Sequence, residues 1–322
     1  MKVVLDAAFQ NWILGAMIRE SCNFTERLVE IDFVKTSRAK HPLSFLYRRY
    51  ARRLNLIEDD LIVNHKLLYF LIVSGLINQN TLPIVRCMYT HESEDYLGST
   101  QLISFLKQLK QVLVMNKSDA KLLANLGVDP KRIQITYGAI DRDIFFPLER
   151  YSPNRNVLVT GDATWRKNTE KIIETINANP DIFFDICGRY WDGQVRQNRI
   201  LQANYKIHEF DLEKTAKLMR DSSAFLTLSR MEGGPFPVLE ALSSGTPVVS
   251  TPVGWVPEIV NASNGVVVSQ NSSIADISAA LEKCFKLKAD TWCLDLLEGK
   301  YTWGELALRF YEPSYFAGRD FK

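Results

Sequence analysis

Short apolar runs alternate with stretches of helical periodicity along the first half of the chain. Each run is rich in β-branched residues and almost entirely apolar, which is typical of strands buried on both faces of a parallel sheet. Strands that alternate with helices, here near residues 43–57 and 118–126, indicate βαβ units and an α/β domain. The predicted strands lie in KVVLDA, RLVEIDFV, DLIVNH, PIVRCMYTH, QVLVMN and RIQITYG.

The alternation stops at residues 146–156, where FPLERYSPNRN has two prolines and few apolar residues, as linkers do. A second series then begins, so the sequence predicts two doubly wound Rossmann-like domains, residues 1–147 and 148–300. Ligands bind at the carboxyl ends of the strands in such sheets, and we expect the active site in a cleft between the domains. The second series has strands in NVLVTG, DIFFDICG, NYKIHEF, AFLTLS, TPVVST and GVVV, and helices near residues 168–177, 211–220, 238–244 and 274–286.

Composition is that of an ordinary folded protein, with 46% hydrophobic and 24% charged residues. A length of 322 residues exceeds the size at which one core usually stops growing. The net charge of +2 does not by itself indicate nucleic-acid binding. Five cysteines without a CxxC pair argue against a disulfide framework or a structural zinc site. With no signal-peptide pattern and no apolar stretch long enough to cross a bilayer, we expect a cytoplasmic protein.

The densest chemical signal is SRMEGGPFPVLEALSSGTPVVSTPVGWVPEIV, residues 229–260. A strand is predicted to end at Ser229, and Gly233 and Gly234 let the backbone approach a ligand closely. A helix is predicted to start near Pro237, because proline fits the first turn of a helix. The amides at such a helix start form a binding site for an anion.

Two carboxylates, Glu232 and Glu240, lie on either side of this turn, one in the loop and one on the helix. Carboxylates accept hydrogen bonds from pairs of sugar hydroxyls, so both are candidates for contact with a sugar. Two glutamates at this spacing are also common as surface or capping residues. It is the surrounding pattern that favours the functional interpretation.

That pattern resembles the signature of glycosyltransferase family four, whose members are retaining enzymes with the GT-B fold. The resemblance extends to the inter-domain passage that ends at Phe146–Pro147 and to a terminal helix, and it covers roughly residues 85–315. The terminal helix is expected to span residues 301–322 and to pack back toward the N-terminal domain. The matching positions are Ser229, Glu232–Gly233, Leu239–Glu240–Ala241, Gly245–Thr246–Pro247–Val248–Val249 and Tyr301–Thr302–Trp303.

The resemblance implies four residues with catalytic roles. Glu232 should contact the transferred sugar, and Lys167 should bind the departing phosphate with Arg166 beside it. Cations are disfavoured at helix starts, which favours a phosphate partner for this pair over a merely solvated helix start. His91, at the end of a predicted strand, should make a polar contact with the donor sugar, although a histidine there can also be structural.

The same resemblance implies a donor-binding set. Glu240 should hold the ribose hydroxyls, and the backbone of the glycine-rich loop should line the sugar and the diphosphate. Arg189, directly after the predicted strand DIFFDICG, and Phe210, at the end of the predicted strand NYKIHEF, are placed to border the base. The set is Glu240, Gly233, Gly234, Pro235, Phe236, Gly161, Arg189 and Phe210.

Two positions depart from the family pattern. The family usually has an arginine directly after the glycine of the second domain's first strand, and here Gly161 is followed by Asp162. Phosphate binding would then depend on Lys167 and Arg166 alone. The glycine-rich turn after the first strand is replaced by DAAFQNW, residues 6–12, which affects the acceptor side.

Asp141–Arg142–Asp143 forms a DxD pattern, which other glycosyltransferases use to hold a divalent metal. We reject a metal site there, because Asp141 falls in the inter-domain passage and no other cluster with metal-ligand spacing accompanies it. The resemblance implies metal-independent transfer without a cofactor, with a nucleotide-diphosphate sugar as donor and a UDP-sugar as the expected one.

The expected function is therefore retaining transfer of a sugar to a hydroxyl acceptor in a glycan or glycolipid. Two alternatives remain open: a catalytically silent glycosyltransferase-like binding subunit, motivated by Asp162, and a nucleotide-sugar epimerase or a phosphorylase of the same fold. The sequence does not identify the sugar, the base or the acceptor.

Residues 42–57, PLSFLYRRYARRLNLI, which follow His41, form a helical pattern with an apolar stripe opposite four arginines. Between Lys35 and Arg53 there are seven Lys or Arg and no acid. Such a segment is expected to contact an anionic membrane surface, which would make the protein peripheral on the inner face of a membrane. A core-packing helix with a solvated basic face, or one that binds an anionic acceptor, is the alternative. The arginines are Arg48, Arg49, Arg52 and Arg53.

Overall fold

The structure is a computed structural model that describes residues 2–6, 20–24, 30–34, 61–65, 67–69, 86–90, 100–147, 155–197, 199–287 and 300–311. His91 and the predicted membrane-contacting segment, residues 42–57, lie outside the described residues. The chain forms two compact units, Met1–Ala139 with Trp303–Lys322 and Ile140–Thr302.

The described elements of the first unit are β1 (Lys2–Asp6), β2 (Glu30–Val34), β3 (Leu61–Asn64), β4 (Arg86–Met88), α1 (Thr100–Leu106), β5 (Gln111–Val114), α2 (Lys117–Asn125) and β6 (Ile133–Ile135), with 3-10 turns at Cys22–Phe24 and Pro130–Arg132. The six strands form a parallel sheet in the order β2-β1-β3-β4-β5-β6. The start of α2 is capped, because the side chain of Asn116 accepts a hydrogen bond from the amide of Asp119.

The described elements of the second unit are β7 (Asn156–Thr160), α3 (Thr169–Ala178), β8 (Phe183–Cys187), α4 (Trp191–Arg196), β9 (Tyr205–His208), α5 (Leu212–Asp221), β10 (Ala224–Thr227), α6 (Phe236–Ser243), β11 (Val248–Ser250), α7 (Val256–Ile259), β12 (Gly265–Val267) and α8 (Ile274–Cys284). The six strands form another parallel sheet, in the order β12-β11-β10-β7-β8-β9. The helix α8 starts with a capping box between Ser273 and Asp276, in which each side chain accepts a hydrogen bond from the other residue's backbone amide.

The last described helix, α9 (Trp303–Tyr311), belongs to the first unit. Buried Arg86 on β4 donates through Nη1 to the carbonyl of Phe310 at 2.9 Å. The hydroxyl of Tyr311 lies 2.9 Å from Oγ of Ser21. These contacts join α9 to β4 and to Ser21, the residue before the first 3-10 turn of the same unit.

Every predicted strand corresponds to a strand of the structure. The strands β4, β7, β10 and β11 are buried at nearly every position, as continuous apolar runs are in a parallel sheet covered on both faces. The core of the second unit contains fully buried side chains from the strands and from α3 and α8, among them Phe184, Leu226, Ile176 and Leu281. The predicted α/β class with two doubly wound sheets is confirmed. None of the helices in the described ranges combines the length and apolar character needed to cross a bilayer.

Candidate functional site

The loops that follow β7 and β10 meet at one edge of the second sheet. The two strands are parallel, hydrogen-bonded neighbours, so their carboxyl ends point the same way. The strand order reverses direction between them, which makes this the switch point where ligands of open α/β sheets bind. The amide of Arg230, after β10, donates to the carbonyl of Arg166, after β7, at 2.8 Å. The two loops therefore form one site.

Gly161 shapes the loop after β7. Its φ is +114°, which favours glycine, and an added β-carbon would lie 2.9 Å from Cε of Lys167. Its carbonyl accepts a hydrogen bond of 2.9 Å from Nε1 of Trp191. The same oxygen lies against Gly188, where an added β-carbon would be 2.1 Å away from it. The bare Cα of Gly161 thus lets the stem of Lys167 cross the loop.

Glu232 bridges the two cations of this loop. Its Oε1 lies 2.6 Å from Nζ of Lys167, and Nη1 of Arg166 donates to its Oε2. Oγ of Ser229 donates to Oε1 at 3.0 Å. Burial alone would raise the pKa of Glu232, but the charges of Lys167 and Arg166 and the hydrogen bonds from Lys167 and Ser229 outweigh it and hold the pKa below its usual value. The carboxylate is therefore ionised at neutral pH.

The glycine-rich loop between Glu232 and α6 is packed tightly against the segment after β11. A β-carbon on Gly234 would lie 2.2 Å from the ring of buried Trp255. Gly254, with φ of +53°, lies against the carbonyl of Gly233 and the ring of Pro235, each about 3 Å from where its β-carbon would be. The loop that precedes the amides of α6 therefore has a fixed path.

Glu240 lies half-buried in the second turn of α6. Burial raises its pKa to about 7, and the charge of Lys167 opposes that rise in part. Glu232 and Glu240, which have the same side chain and sit eight positions apart, thus differ in protonation near neutral pH. Perturbed carboxylates of this kind are concentrated at functional sites.

Asp162 and Arg189 form a fork at the outer side of the site. Nη2 of Arg189 lies 2.6 Å from Oδ2 of Asp162, and its Nε donates to both carboxylate oxygens at 3.1 and 3.2 Å. Burial works against ionisation of Asp162, but hydrogen bonds from the side chain and amide of Arg189 hold its pKa below the usual value. The residue that replaces the family's arginine therefore binds an arginine from the next loop.

Phe210 and Tyr190 follow the neighbouring strands and are 68% and 63% exposed, so both offer ring surface to a ligand. Tyr190 has φ of +71°, and the Arg189 guanidinium lies 5.7 Å from its ring centre. The backbone from Gly233 to Phe236 lies in the loop and first turn described above.

Sequence reasoning missed three tryptophan contacts of this region. Trp191 and Trp255 hold the two loops, and Trp165, which is 63% exposed, lies under the guanidinium of Arg230 at 5.1 Å. The clue in the sequence was large aromatic residues directly after predicted strands. Large aromatic residues are also common in hydrophobic cores, so their position in the sequence did not distinguish tryptophans that contact the site loops from ordinary core residues.

The DxD pattern forms a local turn, in which the amide of Asp143 donates to Oδ1 of Asp141 at 3.0 Å. Within the described part of the chain, no group of three or more His, Cys, Asp or Glu is arranged to hold a metal ion.

Residues 141–291 match the sequence profile of the family Glycosyl transferases group 1. An MMP alpha-(1->4)-mannosyltransferase from Mycolicibacterium hassiacum is 21% identical over 163 residues, which are 48% of this chain and 40% of that protein. The chain thus spans less than half the length of this curated relative.

Solved structures agree with the fold over most of the chain. Sucrose-phosphate synthase from Thermosynechococcus elongatus has a TM-score of 0.75 at 12% identity, covering 95% of this chain and 96% of that one. HepE of Anabaena in complex with UDP-glucose has a TM-score of 0.71 at 14% identity, covering 95% and 96%. The fold is that of GT-B glycosyltransferases, and over residues 141–291 the chain is similar to the glycosyl transferases of group 1.

Proposed function

We propose that this protein is a glycosyltransferase that moves a sugar from a nucleotide-diphosphate sugar to a hydroxyl acceptor in a glycan or glycolipid. The observation that carries the proposal is the cluster of Arg166, Lys167, Glu232 and Glu240 at the switch point of the second sheet. Two adjacent cations suit a diphosphate, and two carboxylates suit sugar and ribose hydroxyls. HepE was crystallised with UDP-glucose, which supports a UDP-sugar as donor.

In the proposed reaction the bond between the anomeric carbon and the diphosphate oxygen breaks, and the acceptor oxygen bonds to that carbon on the same face. The departing phosphate takes the acceptor's proton. Lys167 and Arg166 stabilise the charge that develops on the phosphate, in place of a metal ion. Arg189 and Phe210 border the base, and His91 contacts the donor sugar.

Donor hydrolysis by the purified chain tests this function, with UDP-glucose, UDP-galactose, UDP-N-acetylglucosamine and GDP-mannose as donors. We expect slow release of nucleotide diphosphate from one of them, at the same rate with and without EDTA. A silent binding subunit, which the neutralising Asp162–Arg189 pair favours, would bind a donor and release no diphosphate. An epimerase would convert the sugar nucleotide without transferring it.

Retention of anomeric configuration is the second expected result. It follows from the family resemblance around Glu232 and from the absence, among the site residues described, of an evident general-base dyad. Proton NMR of the first-formed linkage measures it, because the anomeric coupling constant differs between the two products. An inverted linkage would refute the retaining mechanism and leave glycosyl transfer itself in place.

Donor affinity should depend on the ionisation of Glu240. Its pKa is raised from 4.5 to about 7, so the folded protein keeps the proton up to a higher pH than the unfolded chain does. The free energy of unfolding therefore decreases as the pH rises from 4.5 to 7. The carboxylate form of Glu240 dominates in the folded protein only above pH 7. Two ribose hydroxyls need acceptors, which the carboxylate supplies. The affinity for an intact sugar nucleotide should therefore rise about tenfold between pH 6 and pH 8.

Calorimetric titration at both pH values measures this dependence. The diester phosphates of the sugar nucleotide keep their charge over this range, so they do not contribute. Glu240→Gln is the matched control and should bind weakly with no pH dependence. Equal affinity of the wild type at pH 6 and pH 8 would exclude a carboxylate role for Glu240.

We also propose that residues 42–57 contact an anionic membrane surface, on the sequence pattern alone, with about 1 kcal/mol for each basic residue near the lipid. Co-sedimentation with neutral vesicles and with vesicles that contain phosphatidylserine should show binding to the anionic vesicles only. A variant with Arg48, Arg49, Arg52 and Arg53 changed to Gln should lose it. Equal sedimentation of both proteins, or of neither, would reject the proposal.

A further inference from the structure

Glu232 engages the N–H donors that a diphosphate would use. Its two oxygens contact Nζ of Lys167 and Nη1 of Arg166. The carboxylate side chain is only 10% exposed and Lys167 15%, so solvent screens the pair weakly. One hydrogen bond from Ser229 and the tight packing of the loop after Glu232 hold the carboxylate in place. A phosphate oxygen that reaches these cations therefore meets a fixed negative charge beside them.

This charge acts differently on the intact donor and on the free diphosphate. A free nucleotide diphosphate ends in a phosphate monoester, whose second ionisation has a pKa of about 6, so it carries more negative charge than the diester of a sugar nucleotide. Glu232 repels the free diphosphate more strongly. The intact donor also brings sugar hydroxyls, which can donate hydrogen bonds to the remaining lone pairs of the carboxylate.

The neighbouring charges do not cancel this effect. Arg189 lies near the site but is held by Asp162 at 2.6 Å, so the pair adds no net charge. Lys167, Arg166 and Glu232 together carry one net positive charge. Removing the charge of Glu232 would raise this net charge to two. The affinity should then increase most for the free nucleotide diphosphate, which is the more highly charged ligand.

We propose that Glu232 is a specificity-determining residue that makes the site favour the intact nucleotide sugar over the free nucleotide diphosphate, and so promotes product release. The inference rests on the proposed function, since it assigns a diphosphate to Lys167 and Arg166.

Calorimetric titration of UDP and UDP-glucose into wild type and Glu232→Gln tests it. The UDP dissociation constant should fall about tenfold in the variant, while that of UDP-glucose should change little, so the preference for the donor shrinks by about the same factor. The amide has the size of the carboxylate and can still accept from Ser229, so the fold is expected to persist, as circular dichroism would show. Glu174→Gln, on the exposed face of α3, removes one charge elsewhere and should leave both constants unchanged.

A double-variant cycle with Lys167→Gln separates local competition from a general change of charge. In the Lys167→Gln background, the gain in UDP affinity on changing Glu232 should fall to about threefold, because one of the two contested cations is gone and Arg166 remains. An unchanged ratio of the two dissociation constants in Glu232→Gln, or an equal gain in both backgrounds, overturns the inference and leaves the proposed function standing. If the wild type binds none of the four ligands UDP, UDP-glucose, GDP and GDP-mannose, the proposed function fails and the inference fails with it.

Discussion

Replacing Lys167 with Ala should slow sugar transfer, or donor hydrolysis where no acceptor is supplied, about a hundred- to a thousandfold, roughly 3–4 kcal/mol of transition-state stabilisation. Nζ of Lys167 is oriented by Glu232 at 2.6 Å and its stem lies across Gly161, so the cation is positioned before the reaction begins. Such a preorganised charge acts where the phosphate becomes more negative. The loss should appear in kcat as well as in kcat/KM.

Stability measurements separate this loss from unfolding. Glu232 keeps its contacts with Arg166 and Ser229 in the variant, so the melting temperature should fall by only a few degrees. Lys214→Ala is the matched control, because Lys214 is an exposed lysine in the first turn of α5, and its activity and melting temperature should equal those of the wild type. Near-normal turnover of Lys167→Ala would remove Lys167 from the proposed site.

The strands were predictable because each is a nearly continuous apolar run, and the two predicted sheets follow from that. Three helices were not predicted: α1, α4 and α7. α4 follows Tyr190, which has a positive φ and no side-chain cap, and it contains a glycine. α7 spans four residues. Short helices without a cap or a full period of apolar positions leave little signal in a sequence.

Lys167, Arg166 and Glu232, the residues of the proposed site, were selected by their motif, but their mutual contacts were not predictable from it. Arg166 and Glu232 are 66 residues apart, and only the pairing of β7 with β10 brings them together. The sequence interpretation assigned Glu232 to a sugar and the two cations to a phosphate, as separate contacts. The ion pairs of the structure join these assignments and lead to the competition proposed above.

The contact partner of Asp162 was likewise not predictable from the sequence. In the sequence it is a departure that removes a cation from the site. In the structure it binds Arg189, a residue of the next loop, through three side-chain contacts. Whether a substitution weakens a site depends on partners that are distant in the chain, and side-chain pairing across parallel strands has no local signature.

Replacing Gly234 with Ala should destabilise the protein by about 1–3 kcal/mol and displace the loop between Glu232 and α6. The new β-carbon would lie 2.2 Å from the ring of Trp255. That ring has no room to retreat, because Trp255 is fully buried and makes edge-to-face contacts with Phe236 at 5.2 Å and Tyr301 at 6.3 Å between ring centres. The strain comes from this contact and not from the backbone, since φ of Gly234 is not positive.

Gly193→Ala supplies the matched comparison. No atom lies within 4 Å of where its β-carbon would be, and the residue is inside α4, where alanine is better than glycine by about 0.5–1 kcal/mol. Melting temperatures should therefore shift in opposite directions, down for Gly234→Ala and slightly up for Gly193→Ala. Donor affinity should fall in the first variant only, because its loop carries the backbone proposed to line the diphosphate. If both variants have the melting temperature of the wild type, the close packing of Trp255 does not fix the path of the loop between Glu232 and α6.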